Sequence, residues 1–375
     1  MEKIFTALGM MSGTSGDGVD ASVISSDGIG DYNEVINKYF KYDHKIYENL
    51  HNLRGKILKF DDLKMNENEI NILEREITLF HAKIVNEILQ LTDRKIDFLG
   101  FHGQTIYHNP LEKISKQIGD GKLLSQLTKK TVIYNFRQND IKNGGEGAPL
   151  APLFHSLIVK KKKIELPVCI LNIGGIANVT LISQYDENNL LSRDLGPGNC
   201  LIDEWVRNNT KDKFDNNGDI AKNGKTNQLI LNQALDNFEN KINQSTLSFD
   251  TKDFSLGFVR GLSLEDGAAT LTDFTGTVIA HELLKFLSKE QDKSWKVLVC
   301  GGGSKNLTLL KKIQDKLPKN LSIHDIKRFG IDGDYIESQA FAFLAIRSFL
   351  KLPISFPSTT GCKEPTIGGE LIKNF

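Results

Sequence analysis

Apolar and polar positions fall into a recurring block pattern along this chain. Residues 3–9 form an apolar run, a loop of small polar residues (SGTSGDG) follows, and a second apolar run extends from Val19 to Ile24. The same form returns at 167–173 (PVCILNI), then Gly174 and Gly175, then IANVTLI. Each block reads as a β-hairpin closed by a glycine-bearing turn, where positive φ carries no steric cost. One such hairpin opens each half of the chain. A third block, KVLVCGGGSKN at 296–306, predicts a strand, a triple-glycine turn and the start of a helix over NLTLLKKIQDKL.

Between these blocks, apolar residues at helical spacing predict helices over 68–92, 273–289 and 335–351. Short strands are expected at 96–103 and 131–136. FHGQTIYHNP (101–110) and NFRQNDIKNGGEGAPLAP (135–152) read as polar turns. The stretch 208–252, rich in Asn, Lys and Asp, reads as a surface excursion with little core. Strands alternating with helices give an α/β class with largely buried sheets. A chain of 375 residues has room for two domains. The expected division is 1–140 with 335–375, and 141–334.

Charge narrows the partners. Lys+Arg and Asp+Glu both number 47, so the formal net charge is zero. Broad nucleic-acid or membrane-surface binding rests on excess positive charge and is not expected. The run Lys160, Lys161, Lys162, Lys163 reads as a solvated loop. No apolar segment reaches the roughly 20 residues that span a bilayer, and no basic-then-apolar leader is visible. The four cysteines show no CxxC spacing, so a zinc site or disulfide scaffold is not expected. The expected address is the cytoplasm.

A glycine loop between strands exposes backbone N–H groups and lets an anion approach the chain. Three such loops, two of them opening matching halves, point to a polyphosphate held in a cleft between domains. GxxxxGK[ST] is absent and no GxGxxG follows a predicted strand, which removes the P-loop and dinucleotide folds. HExxH and GxSxG are absent too. What remains is the actin/hexokinase/Hsp70-type nucleotide fold: two related α/β domains, each opened by a hairpin whose turn faces ATP phosphates.

Asp194, in SRDLGPGNC, either initiates a turn or acts as a general base at a strand end. Arg137 is suited to forking a carboxylate, whereas His102 alone reads as structural. Glu337 falls in the first turn of a predicted helix, where a carboxylate is favoured in any case.

GTSGDGVDAS, HGQTIYHNP, NFRQNDIKNGGEGAPLAP, LNIGGIANVT, DLGPGNCLIDEW, CGGGSKN and ESQAFAFLA, in that order, resemble the anhydro-N-acetylmuramic acid kinases. The likeness runs from about residue 6 to 369. It implies a two-domain actin-like (ribonuclease H-like) ATPase fold with an interdomain cleft. It also implies an enzyme that opens a 1,6-anhydro amino sugar with water while moving the γ-phosphate of ATP to O6, in peptidoglycan recycling. Under the resemblance Gly13, Thr14, Ser15, Gly16, Asp17, Gly18, Val19 and Asp20 hold the ATP phosphates, with Gly174 and Gly175 as a second phosphate turn. Gly301, Gly302 and Gly303 lie by the adenosine end. Asp194 is the base, Arg137 grips the lactyl carboxylate, and Gln104, Thr105 and Glu337 line the sugar pocket. ATP and Mg²⁺ are the implied cofactors, with Asp17 and Asp20 near the metal's water shell and neither assigned to it; a homodimer is the implied assembly. Two features depart from the family pattern: Glu146 stands where glutamine is usual, and 247–257 (LSFDTKDFSLG) lacks the expected Lys-Ser-Thr-Gly-Arg character. Two other readings stay open, an ordinary sugar kinase in which Asp194 deprotonates a hydroxyl, and a nucleotide-gated regulatory protein.

Overall fold

The computed structural model describes residues 3–242, 248–288 and 294–375. It divides into two compact units, Met1–Lys163 with Tyr185–Leu190 and Asp334–Phe375, and Ile164–Gln184 with Leu191–Gly333.

In the first unit the strands are β1 (Phe5–Ser12), β2 (Gly18–Ser26), β3 (Tyr32–Lys41), β4 (Phe98–Asn109), β5 (Ile114–Ile118), β6 (Thr131–Tyr134) and, late in the chain, β12 (Glu370–Ile372). Their order is β12-β6-β4-β1-β2-β3, with β5 added against β4. The second unit has β7 (Val168–Ile173), β8 (Ile176–Ile182), β9 (Leu191–Pro197), β10 (Trp295–Cys300) and β11 (Leu321–Asp325), ordered β11-β10-β7-β8-β9.

Both sheets share a plan. The first hairpin and its third strand are antiparallel, and the later strands run parallel to the first on its other side. Counted within each unit and leaving aside β5 and β12, the order is third-second-first-fourth-fifth in both. This is the duplicated ribonuclease H-like sheet of the actin-type fold. Val168, Cys169, Ile170, Leu171 and Ile173 of β7 are all buried, as befits a strand covered on both faces.

The helices Glu67–Gln90 and Ile336–Phe349 lie close to the expected spans. The second of these packs directly across the central strands of the first unit. A Cβ at Gly9 would fall 2.0 Å from the Ser338 carbonyl oxygen, and one at Gly100 would fall 2.3 Å from that of Phe341. Only glycine admits the helix backbone there.

Four expectations change. Residues 101–109 belong to β4 and not to a turn, because Thr105, Ile106 and Tyr107 favour the pleated surface; Gly103, at φ +74°, absorbs the irregularity. The stretch 208–252 carries helix Gln228–Ile242. Leu231, Ala234 and Phe238, at helical spacing, are buried with Trp205, Leu271 and Phe274. The lysine run is split: Lys160 and Lys161 close helix Pro152–Lys161, where cations complement the helix dipole, and Lys162 and Lys163 stand exposed in the turn beyond it. The first unit also extends past 140 to Lys163, since Phe154 packs its ring 4.9 Å from Tyr32 and 5.7 Å from Phe343.

Candidate functional site

In the first unit, residues 13–17 bridge β1 and β2, while Gly18, Val19 and Asp20 already belong to β2. Val19 is a core side chain, so only its backbone is available to a ligand. Gly16 turns the loop at φ +60° and sits against Leu50, whose Cδ2 lies 2.7 Å from where a Cβ would be. The Gly13 carbonyl accepts from Gly16 N–H at 3.1 Å and from Gln104 Nε2 at 3.0 Å. Ser12 Oγ lies 2.8 Å from the Gly18 carbonyl and 2.5 Å from Gln104 Oε1. Gln104 is fully buried, and both ends of its carboxamide face the loop. Thr105 turns instead to Gln117, whose Nε2 donates to its hydroxyl at 3.1 Å; the structure does not bring the two together. Asp17 accepts from Ser15 Oγ at 2.5 Å and from the Tyr39 hydroxyl at 3.0 Å.

Arg137 is fixed on two sides. Its Nε and Nη2 donate to His102 Nε2 at 3.1 and 3.0 Å, and its Nη1 donates to the Gly147 carbonyl at 2.7 Å. His102 Nδ1 lies 2.9 Å from the Gly103 carbonyl. An oxygen there requires a proton on Nδ1, which leaves Nε2 as the acceptor. Burial, then the Arg137 guanidinium, hold this imidazole well below its usual range, so it stays neutral. Asp140, fully buried, accepts from Gly147 N–H at 2.7 Å and from the Thr360 hydroxyl at 2.6 Å. It thereby shapes the 143–147 turn. Glu146 N–H donates to the Thr360 carbonyl at 2.8 Å, anchoring its backbone. Glu337 lies in the first turn of helix Ile336–Phe349, beside Ser338, whose hydroxyl meets that of Ser22 at 2.7 Å.

The second unit gathers three glycine stretches. Gly174 and Gly175 close β7–β8, and their carbonyls accept from the N–H groups of Asn199 (2.8 Å) and Gly198 (2.9 Å) respectively. A Cβ at Gly198 would lie 2.2 Å from the Gly174 oxygen. Asn199 Nδ2 also donates to the Ile173 carbonyl at 3.3 Å. Gly301, at φ +78°, and Gly303 pack against Asn172 and Ile173. Asp194, on β9 opposite Asn178, is nearly buried at 7% exposure. Its Oδ2 accepts from Phe249 N–H at 2.8 Å. The divergent loop therefore touches this carboxylate directly. It is held by Phe249 and Phe254, their rings 5.6 Å apart. Leu247, first in that stretch, lies outside the described residues.

A family model described as "Anhydro-N-acetylmuramic acid kinase" matches residues 5–374. The chain belongs to this family. A relative from Pelagibacter ubique, named anhydro-N-acetylmuramic acid kinase, is 58% identical over all of both chains. One of the same name from Zymomonas mobilis is 37% identical over 97% of this chain and 99% of its own. Among solved structures, the activator of the 2-hydroxyisocaproyl-CoA dehydratase from Clostridium difficile with bound ADPNP covers 92% of this chain and 96% of its own, at 12% identity and TM-score 0.43.

In this member of the anhydro-N-acetylmuramic acid kinase family, sequence reading missed Ser12, Asn172, Asn199 and the helix His44–Lys56. The first three sit beside glycine motifs, and their adjacency was the available signal. His51 and Arg54 of the helix reach the first loop from some 40 residues away, at Ser15 and Thr14 respectively, and no local pattern marks them. Among the described residues no helix is long and apolar enough to cross a membrane, and no three His, Cys, Asp or Glu side chains gather to hold a metal.

Proposed function

We propose that this chain is an ATP-dependent kinase that opens 1,6-anhydro-N-acetylmuramic acid with water and phosphorylates O6. The product is N-acetylmuramic acid 6-phosphate, a step of peptidoglycan recycling. The observation that carries this reading is the full-length identity of 58% to a kinase of that name. The sheltered carboxylate of Asp194 adds chemical support.

Water is a weak nucleophile at an acetal carbon until a base removes its proton as the new bond forms. Asp194 takes that proton while the water oxygen bonds to C1. The C1–O6 bond breaks, its electron pair stays on O6, and O6 bonds to the γ-phosphorus as ADP departs. Phe249 N–H fixes the Asp194 carboxylate through Oδ2. The residues 13–20, Gly174, Gly175 and Gly301 to Gly303 are the proposed nucleotide contacts. Gln104, with its carboxamide spent on Ser12 and Gly13, serves the sugar by shaping the loop beside it. Arg137 is the proposed clamp for the lactyl carboxylate, its direction set by His102 and Gly147. Thr105 and Glu337 complete the proposed sugar contacts.

Magnesium fits this donor set. A nucleotide-bound Mg²⁺ draws most ligands from phosphate and water and needs one or two carboxylates, and Asp17 in the first loop and Asp20 near the start of β2 are the carboxylates at hand. When bound, the ion neutralises charge developing on the phosphates. A homodimer and a cytoplasmic address belong to the same reading; light scattering on a sizing column tests the former.

The deciding experiment supplies ATP, magnesium and the anhydro sugar in ¹⁸O-labelled water and weighs the product. One phosphate and one heavy oxygen are expected, both lost in Asp194→Asn. Phosphate transfer only to an already opened sugar, without heavy oxygen, would make this an ordinary sugar kinase. No transfer to either sugar would favour a nucleotide-gated regulator.

A further inference from the structure

The loop GTSGDG carries no cation and includes Asp17, so binding a polyphosphate there falls to its backbone. Backbone amides serve an anion only if the carbonyls between them are turned away. Across a trans peptide the C=O of one residue and the N–H of the next point in opposite directions. Whatever holds a carbonyl therefore aims the following N–H.

That hold is visible at three successive peptides. The Gly13 carbonyl is taken by Gln104 Nε2 and Gly16 N–H. The Thr14 carbonyl accepts from Arg54 Nη1. The Ser15 carbonyl lies 3.0 Å from His51 Nε2, which must carry the proton, since a carbonyl only accepts. Leu50, His51 and Arg54 share one face of the helix His44–Lys56, and Leu50 supplies the wall under Gly16. The N–H groups of Thr14 and Ser15 meet no protein acceptor among the described residues.

From this geometry we infer that Arg54 is a positioning residue for the nucleotide's phosphates: by holding the Thr14 carbonyl it aims Ser15 N–H at an oxyanion, and it brings positive charge to a loop with none. The inference rests on the ATP-dependent reading above. Arg54 meets the loop at a backbone carbonyl, so its effect is exerted through the loop and should follow the phosphates of the nucleotide and not its base or ribose.

The test compares equilibrium binding of ATP and of adenosine to the full chain as wild type, Arg54→Met and Arg54→Lys, without sugar. A charge-assisted hydrogen bond predicts that Arg54→Met weakens ATP about tenfold or more. Adenosine affinity should stay unchanged, and Arg54→Lys should recover part of the loss. If Arg54→Met fails to fold, Arg54→Lys still carries the test, because a selective ATP defect smaller than tenfold is expected there. ATP and adenosine falling together, or ATP unaffected in either variant while wild type binds it, would overturn the inference alone. Wild type that binds no ATP would overturn the kinase reading and this inference with it.

Discussion

The two hairpin turns occupy the same place in two copies of one strand order, and they are built from different materials. The loop at 13–17 is held by side chains: Gln104 from β4, His51 and Arg54 from the helix His44–Lys56, each on a different carbonyl. The turn at Gly174 and Gly175 is held by main chain, through the N–H groups of Gly198, Asn199 and Cys200. A longer loop needs outside anchors to lose its freedom. A two-residue turn is already constrained by its strands and needs only a neighbouring backbone at close range. Equivalent topology therefore fixes where a glycine loop stands, and the local sequence decides which substitutions it tolerates.

Acid should separate the units most strongly. Among the described residues the buried histidines are His81, His102 and His155, all in the first unit. Burial lowers His81 to about 4 from 6.5 and His155 to about 3. The folded state resists protonation while the unfolded chain accepts it, so stability is lost as pH falls from 6.5 towards these values. From His81 alone the loss is on the order of 3 kcal/mol by pH 4. Trp205 and Trp295 both lie in the second unit, so tryptophan fluorescence should hold while amide exchange quickens in the first. His81→Leu should flatten the acid slope; an unchanged slope would remove His81 from the account.

Backbone substitution should strike the second turn. Gly198→Ala places a methyl 2.2 Å from a carbonyl oxygen, whereas at Gly174 the nearest atom is 3.5 Å away. Thermal unfolding should show a loss of about 2–3 kcal/mol for the first and under about 1 kcal/mol for the second. Equal losses would mean that the turn adjusts.

Side-chain substitution should strike the first loop. Gln104→Leu removes one of two partners from the buried Ser12 hydroxyl, which keeps the Gly18 carbonyl, and one of two donors from the Gly13 carbonyl, which keeps Gly16 N–H. The loss should be about 1–2 kcal/mol in denaturant unfolding, with a raised KM for ATP. Smallest of all is Gly13→Ala: nothing lies within 4 Å of the added methyl, and stability should move by less than about 0.5 kcal/mol.

Much of this arrangement was legible in the chain itself. The hairpins were readable because strand, glycine and strand are contiguous, and helix Glu67–Gln90 because Ile70, Leu73, Ile77, Ile84 and Ile88 repeat at its period. Helix Leu264–Leu287 begins nine residues before its expected start at 273. Gly267, Ala268, Ala269, Thr270, Leu271 and Thr272 are all buried, and a helix covered on every side shows no amphipathic stripe. Within the candidate site, glycines declared themselves by number and spacing. Gln104 was noticed for its polarity, but its tie to Ser12 spans 92 positions and has no local trace. His102 shows the limit most clearly: as a lone histidine it reads as structural, and only its contact with Arg137 reveals that it orients a charge.

The helix Ile336–Phe349, seated on Gly9 and Gly100, has a consequence for how the protein is made. The strands it covers are among the earliest residues to be synthesised, yet the helix follows the whole of the second unit. Until it arrives, the face around Gly9 and Gly100 stays uncovered in the nascent chain, while the second unit has every strand it needs. Folding during synthesis should therefore finish from the middle outwards. Truncation before residue 334 should leave a chain whose second unit resists protease and whose first half is digested.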